Sequence, residues 1–213
     1  MNNISLNNVL PSFLSDFPAE SEIWGQDVAF VKGEYALVAA VSGAGKSSLL
    51  SYMFGERCDF NGTIAFDQQP LSAVKTKRWS DIRSRHISCV FQGLRLFSEL
   101  TAMENIQVKN RLTRQKTEAE INAMLDAVGL ADKKQEKAAR LSFGQQQRLA
   151  VLRALCQPFD FLLLDEPFSH LDDTNIRVVS SLIEKELQSR NAGMILCSLG
   201  QEYPFNYHRK FKL

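Results

Sequence analysis

The chain has 213 residues, of which 45% are hydrophobic and 23% are charged. This is the composition of a globular protein with a sizeable core, and it excludes the possibility that the chain as a whole is a disordered tail. The 25 basic and 24 acidic residues give a net charge of +1, which argues against a dominant electrostatic partner such as bulk nucleic acid. The four cysteines show no C-x-x-C spacing, which argues against a zinc site or a disulfide framework.

The sequence also bears on location. Its first residues lack the charged and apolar regions of a signal peptide, and no run of about 18 consecutive apolar residues occurs. We therefore expect a cytoplasmic protein, and we expect any membrane-spanning work to belong to another polypeptide.

A strand, a glycine-rich loop and a helix are predicted in succession between residues 35 and 50. Residues 35–40 form a short apolar run, and the apolar spacing from Lys46 onward is that of a helix. Small loop residues let backbone N–H groups surround phosphate oxygens at the positive end of a helix, while a lysine adds charge and a serine hydroxyl can ligate Mg²⁺. The sequence therefore predicts a bound nucleotide. The predicted contact residues are Ser42, Gly43, Ala44, Gly45, Lys46, Ser47 and Ser48.

Short strands are also predicted at Asp27–Val31 and, after the turn signal Asn61-Gly62, at residues 62–66. They indicate a small β-rich layer beside the nucleotide. An aromatic ring from this part of the chain could lie against an adenine face, and for each candidate a place in the core is the alternative. The candidates are Phe13, Phe17 and Trp24.

Polar residues end two predicted strands. Residues 86–92 form a strand that ends on Gln92, and the unbroken apolar run 161–164, typical of a strand buried on both faces, ends at Asp165 and Glu166. Adjacent carboxylates are costly at the end of a buried strand. One can hold the water shell of a metal, while the next points to the other side and can orient or deprotonate a water.

Helical periodicity dominates much of the remaining chain. Helices are predicted at residues 74–85, at 100–112 and 117–128 within an inserted helical lobe, and from Asp172 to Arg190, followed by a strand at 194–197. Ser142 stands where a helix N-cap would stand, so Ser142 and the Gly144 backbone can face an anion.

The order of these motifs resembles the nucleotide-binding domain of ATP-binding-cassette (ABC) proteins. The resemblance covers nearly the whole chain, and the segment Leu-Ser-Phe-Gly-Gln at 141–145 is more specific than the phosphate loop. It implies a single α/β domain over residues 1–213, a P-loop NTPase of ABC type. Its mixed central sheet, small antiparallel β layer and catalytic core would occupy about 1–92 and 141–213, and its helical lobe about 93–140.

The resemblance also implies a role for each matching residue. Lys46 would bind the β- and γ-phosphates, and Ser47, Gln92 and Asp165 would contact Mg²⁺. Glu166 would be the general base that polarises the attacking water, and Gln92 would also be the lever of the Q-loop.

The implied assembly is a head-to-tail homodimer or heterodimer with ATP between protomers. Ser142, Gly144 and Gln145 resemble the signature that reaches the γ-phosphate of the opposite subunit, and Asp172 resembles the D-loop residue that links the two subunits.

Three positions depart from the family pattern. Ala40 and Phe143 replace glycines of the phosphate loop and the signature, and nucleotide binding is expected to survive both. Leu199 stands where the family has a histidine that contacts the γ-phosphate, so hydrolysis is expected to be slow. His170 and His208 are alternatives for that role, against a surface or packing role for each.

The resemblance implies an ATP-hydrolysing subunit of an ABC transporter or mechanotransmission complex, most similar to the ATPases of lipoprotein-release, macrolide-export and cell-division complexes. It implies ATP and Mg²⁺ as cofactors, a separate transmembrane permease as partner, no nucleic acid, and a peripheral position at the inner face of the cell membrane. Two alternatives stay open: a hydrolysis-poor, ATP-sensing switch subunit, and a soluble ABC ATPase that acts on DNA or ribosomes.

Overall fold

A computed structural model describes residues 1–14 and 20–213. The candidate ring of Phe17 lies outside these residues. The strands are β1 (Asn3–Pro11), β2 (Asp27–Val31), β3 (Tyr35–Ala39), β4 (Phe60–Phe66), β5 (Gln69–Pro70), β6 (Ile87–Val90), β7 (Phe161–Asp165), β8 (Gly193–Ser198) and β9 (Arg209–Lys212). The α-helices are α1 (Lys46–Met53), α2 (Thr76–Asp81), α3 (Ala102–Thr113), α4 (Glu118–Ala127), α5 (Phe143–Leu155) and α6 (Asp173–Arg190).

The strands form two sheets. One has the order β6-β7-β8-β3-β9 with every neighbouring pair parallel, and the other has the order β2-β1-β4-β5 with every pair antiparallel. The expected mixed central sheet is thus divided, because the parallel and antiparallel pairs lie in different sheets. Although β3 follows β2 closely in the chain, the two strands lie in different sheets. Strand β3 joins the parallel strands, which are connected through helices.

Strand β7 shows how the core is built on both faces of the parallel sheet. All five of its residues are buried. Leu162 and Leu164 face the cluster formed with α3 to α6, whereas Leu163 faces the cluster formed with α1 and the antiparallel sheet, as the period of two along a strand requires. This double burial explains the unbroken apolar run.

Three strands of the described chain were not predicted: β1, β5 and β9. Strand β5 has only two residues, both of them exposed. Strand β1 carries buried Ile4 and Leu6, but its register shifts between Asn7 and Leu10, which breaks the apolar alternation. Strand β9 offers one buried apolar residue, Phe211, and pairs in parallel with β3. None of the three strands has a local pattern strong enough to be recognised without its partner strand.

The helices begin and end near the predicted positions. Thr101 and Thr117 cap α3 and α4 through capping boxes with Glu104 and Glu120. The helix predicted at 74–85 is shorter in its α-helical part, since α2 ends at Asp81 and a π-helical turn, Ile82–His86, follows. Among the described residues, no helix is both long and apolar enough to cross a membrane.

Candidate functional site

The phosphate loop joins the carboxyl end of β3 to the start of α1. Gly43 and Gly45 have left-handed φ values of 83° and 102°, which a residue with a Cβ adopts only with strain. A Cβ on Gly45 would also lie 3.2 Å from the Trp24 ring. Ala40 instead continues the sheet, with its N–H donating to Ser198 O at 3.1 Å. The missing glycine at position 40 therefore leaves the loop backbone intact.

Lys46 is almost fully buried at the first position of α1. Its Nζ donates to the carbonyl oxygens of Ala40 and Val41, both at 3.1 Å, and lies 3.4 Å from Glu166 Oε1. The loop carbonyls and the carboxylate together hold the ammonium group in the pocket. The only full positive charge of the predicted loop residues is thus fixed where an anion would meet it.

The loop opens onto a pocket of about 220 Å³. The structure brings six of the seven predicted nucleotide contacts to this pocket, together with the two predicted catalytic residues. The lining residues are Phe13, Ser42, Gly43, Gly45, Lys46, Ser47, Ser48, Gln92 and Glu166. The seventh predicted contact, Ala44, is absent from this lining, and its carbonyl oxygen accepts a hydrogen bond from Nε1 of the buried Trp24 at 3.1 Å.

Asp165 ends β7 beside this pocket and is 4% exposed. Burial raises the pKa of its carboxyl above the ordinary value, while a hydrogen bond with the Ser47 side chain opposes the rise and the charge of Glu166 adds to it. Within the described chain, Asp165 Oδ1 is buried and has no hydrogen-bond partner. A buried, unpartnered carboxylate oxygen is unfavourable by itself and favours a cation beside it.

Glu166 has an unusual backbone. Its φ is 49°, a left-handed conformation that costs a residue with a Cβ roughly 1–2 kcal/mol, and the following Pro167 favours extended backbone instead. Its N–H donates to Cys197 O at 3.0 Å. This conformation turns the carboxylate toward Lys46, so the direction of the side chain depends on a strained backbone.

Gln92 lies two residues beyond the end of β6 and is exposed at the pocket. The loop after it is strained as well, because Leu94 and Arg95 have φ values of 56° and 49°. Their carbonyl oxygens accept hydrogen bonds from the guanidinium of Arg153 at 2.7 and 2.6 Å. Burial lowers the pKa of Arg153 to about 10, so the guanidinium is charged at neutral pH.

The signature residues begin α5. Ser142 caps the helix by accepting from the Gln145 N–H at 3.3 Å, and Gln145 Oε1 accepts from the Ser142 N–H at 2.9 Å. A Cβ on Gly144 would lie 3.1 Å from His170 O, so a larger residue here would require the helix start or His170 to shift by a few tenths of an ångström. The described residues that line the Lys46 pocket include none of the three predicted signature residues.

Asp172 is exposed and caps α6. Its carboxylate accepts hydrogen bonds from the backbone and side-chain nitrogens of Asn175, at 2.8 and 2.9 Å. These bonds lower the pKa of Asp172. The carboxylate is therefore charged and fixed on the surface.

Leu199 follows β8 with 59% of its side chain exposed. The two alternative histidines lie elsewhere: His208 Nδ1 accepts from the Tyr35 N–H at 3.0 Å, at the end of β3 remote from the loop. His170 Nδ1 lies 2.9 Å from Ser169 Oγ. The described lining of the Lys46 pocket contains neither histidine.

The two described aromatic candidates differ in exposure. Trp24 is fully buried and packs under the loop, whereas Phe13 is 49% exposed on the rim of the pocket. The core alternative is therefore correct for Trp24, and Phe13 is the described ring that a nucleotide base can reach.

Comparison with known families agrees with this geometry. A family model described as ABC transporter matches residues 25–169. The chain belongs to the ABC transporter family. The match contains the phosphate loop, Gln92, the signature and Glu166.

This ABC cassette has relatives among curated proteins. It is 30% identical over 196 residues to the lipoprotein-releasing system ATP-binding protein LolD of Syntrophotalea carbinolica, covering 91% of the cassette and 86% of the relative. It is 36% identical over 169 residues to LolD of Bacteroides fragilis, covering 78% of each chain. It is also 31% identical over 188 residues to the uncharacterized ABC transporter ATP-binding protein Rv0073 of Mycobacterium tuberculosis, covering 87% of the cassette but 57% of that relative.

Solved structures share the fold. The cassette superposes on the dimeric structure of MJ0796, a bacterial ABC transporter cassette, with a TM-score of 0.78 and 24% identity, covering 92% of this chain and 88% of that one. A structure of MJ0796 in a post-hydrolysis state, bound to ADP and Pi, gives a TM-score of 0.77 with coverage of 92% and 87%.

Two residues of the cassette site were missed at the sequence level. Arg153 holds the loop after Gln92, and Gln147, which is 1% exposed, donates to Glu166 O at 3.2 Å. Both are polar residues on the buried face of α5, whose apolar members include Leu149 and Leu152. A polar residue on an otherwise apolar helix face was the available signal.

Proposed function

We propose that this chain binds and hydrolyses ATP as a subunit of an ABC transporter or mechanotransmission complex, and that it drives a separate membrane protein through ATP-dependent dimerisation. The observation that carries the proposal is the meeting of Lys46, Ser47, Gln92, Asp165 and Glu166 around one pocket. The relatives named as lipoprotein-releasing ATP-binding proteins support the same function.

In this proposal the loop binds the phosphates of ATP. Lys46 exchanges its carbonyl contacts for the β- and γ-phosphate oxygens, and the backbone of residues 42–48 surrounds them at the N-terminus of α1. Phe13 stacks on the adenine ring, because it is the described aromatic side chain on the pocket rim.

The donor set fits Mg²⁺. The Ser47 hydroxyl, the Gln92 amide oxygen and the Asp165 carboxylate are oxygen donors of the kind that Mg²⁺ prefers, and the unpartnered Asp165 Oδ1 is an acceptor available to the ion or its water shell. When bound, Mg²⁺ would neutralise charge on the phosphate oxygens. The three residues would hold it beside the loop.

Glu166 is the proposed general base. Its carboxylate faces the Lys46 pocket, where it orients a water and accepts its proton as the water attacks the γ-phosphate. Leu199 offers no side-chain donor at the position of the family histidine, so turnover is slow. The same residue favours the second candidate function, an ATP-sensing switch subunit with poor hydrolysis.

The signature and D-loop residues support a sandwich dimer of identical or different cassettes. Ser142, Gly144, Gln145 and Asp172 belong to helix starts apart from the described lining of their own pocket, so they are available to the nucleotide or D-loop of a partner protomer. We place this single domain, with its helical lobe at about 93–140, peripherally at the inner face of the membrane against a permease subunit.

Lys46→Ala tests the nucleotide site. We expect Mg·ATP affinity, measured by titration calorimetry, to fall by at least about a hundredfold because the fixed charge is lost, while the thermal unfolding midpoint stays near that of the wild type. Lys210→Ala is the matched control, since Lys210 pairs with Glu202 on the surface. Unchanged ATP affinity in a folded Lys46→Ala variant would refute the proposal.

Glu166→Gln tests hydrolysis and dimerisation together. The amide keeps the shape but cannot act as a base, so we expect loss of turnover and an ATP-dependent dimer in light scattering. A variant that hydrolyses ATP at the wild-type rate would remove Glu166 from its role. If the wild type binds ATP tightly but shows no turnover, even with its membrane partner, the proposal of an ATPase is wrong and the ATP-sensing switch subunit takes its place.

A further inference from the structure

Two side chains of helix α5 donate hydrogen bonds to the carbonyl oxygens of the residues with strained backbone beside the pocket. In the described chain, the non-glycine residues with left-handed backbone in the loops after β6 and β7 are Leu94, Arg95 and Glu166. The first two carbonyls accept from Arg153 and the third accepts from Gln147. One helix, which begins at the signature, therefore fixes both loops.

The amide of Gln147 has a single chemically sensible orientation. Its Oε1 accepts from the His170 N–H at 3.2 Å, which leaves Nε2 to donate to Glu166 O at 3.2 Å and to Ser169 Oγ at 3.3 Å. Because Gln147 is 1% exposed, water cannot take over these bonds. Its three contacts connect α5 to the segment that follows β7.

We propose that Gln147 is the positioning residue for Glu166, a role that rests on Glu166 acting as the proposed base. The bond to Glu166 O stabilises a left-handed backbone that Pro167 opposes. Without this bond the residue relaxes toward extended backbone, and the carboxylate turns away from the Lys46 pocket. Gln147 lies five residues along α5 from Ser142, about 7.5 Å of helix rise, so a displacement of the signature by a partner protomer would also move the residue that aims the base.

Gln147→Met tests the proposal, because methionine keeps the length and packing of the side chain but donates no hydrogen bond. We expect kcat for ATP to fall at least about tenfold, since misplacement of a reacting group by 1 Å can cost about a hundredfold. The KM for ATP and the ATP-dependent dimerisation should stay within about twofold of the wild type. A merely structural role would not separate kcat from KM in this way.

Gln146→Met is the matched control. Gln146 also donates two partly buried hydrogen bonds, to Ala138 O at 3.0 Å and Leu141 O at 3.1 Å, but neither goes to Glu166. We expect its kcat to stay within about twofold of the wild type. If Gln147→Met fails to fold, Gln147→Leu replaces it, since leucine also offers no donor to Glu166 O.

The double variant Gln147→Met, Glu166→Gln decides whether Gln147 acts through Glu166. In single-turnover hydrolysis it should have the residual rate of Glu166→Gln alone, because once the base is absent no carboxylate is left for Gln147 to position. A further loss of rate in the double variant, a wild-type kcat in Gln147→Met, or a matching loss of ATP affinity would each overturn the proposal. A Glu166→Gln variant with undiminished rate would instead refute the base itself.

Discussion

The ring of Phe143 lies against the imidazole of His170, with ring centroids 4.4 Å apart and ring planes at 64°. The residue that replaces a signature glycine therefore packs on the segment just before Asp172. The same helix start approaches His170 O closely, since a Cβ on Gly144 would lie 3.1 Å from that oxygen. The bulk of Phe143 is accommodated at the surface, where the ring is 47% exposed, and Gly144 keeps its contact.

A double-mutant cycle measures this pair. Phe143→Ala and His170→Ala should lower the free energy of unfolding in urea less than additively, with a coupling of about 0.5 kcal/mol for a half-exposed edge-to-face pair. Phe97 is similarly exposed at 52%, so Phe97→Ala with His170→Ala should be additive. Additivity in both cycles would show that the Phe143 contact stabilises nothing.

Leu199→His tests the slow turnover that we propose. A preorganised donor to the γ-phosphate is worth about a hundredfold or more in kcat, so we expect a gain of at least about tenfold in steady-state hydrolysis. Because the side chain is 59% exposed, the substitution should not perturb folding. Leu199→Phe adds a ring without a donor and should leave the rate unchanged. A fast wild type that gains nothing from the histidine would mean that another group already supplies the donor.

Arg153→Met tests the restraint on the loop after Gln92. Two carbonyl oxygens lose a charged donor, which should lower the free energy of unfolding by about 2 kcal/mol. In that background, Arg95→Gly should recover about 1 kcal/mol, because glycine accepts a φ of 49° without strain.

Arg95→Ala is the control for this rescue. It removes the same exposed ion pair with Glu56 but retains the strained backbone, so it should recover nothing. Equal stabilities of the glycine and alanine variants in urea would argue that Arg153 supports the loop by packing alone.

Asp160 sets an acid limit on stability. It lies just before β7 and accepts hydrogen bonds from Lys32 and the N-terminal amine, and from His86 at 2.6 Å. Burial acts to raise its pKa, but these bonds outweigh burial and lower the pKa from 3.8 to about 2. Since the folded pKa is below the unfolded value, the stabilisation is present above about pH 4 and disappears as the pH falls toward 2.

Asp160→Asn should therefore lower the free energy of unfolding by about 2 kcal/mol at neutral pH, with a smaller difference from the wild type at each step from pH 4 to pH 2. Urea unfolding across this range measures the difference. The exposed Asp132, paired with Lys133, provides the control Asp132→Asn, which should change little at any pH. A difference that is constant with pH would mean that the carboxylate is not the source of the stabilisation.

The sequence predicted those parts of the site that depend on local patterns. The loop around Lys46 and the carboxylates after β7 follow from apolar runs and small residues, so both could be located without a structure. The left-handed backbone of Glu166 could not, because nothing local marks a non-glycine residue before proline for that conformation. Gln147 stands in a run of three glutamines, and only tertiary packing distinguishes the one that is buried.

The contact between Trp24 and the phosphate loop gives the protein a built-in optical reporter. The indole donates to Ala44 O and packs against Gly45, so its fluorescence depends on the electric field and hydrogen bonding of the loop. The second of the two tryptophans, Trp79, packs on Phe66 in the antiparallel layer. With Trp79 replaced by phenylalanine, the emission of the single remaining tryptophan follows the loop as an anion enters it, without any label.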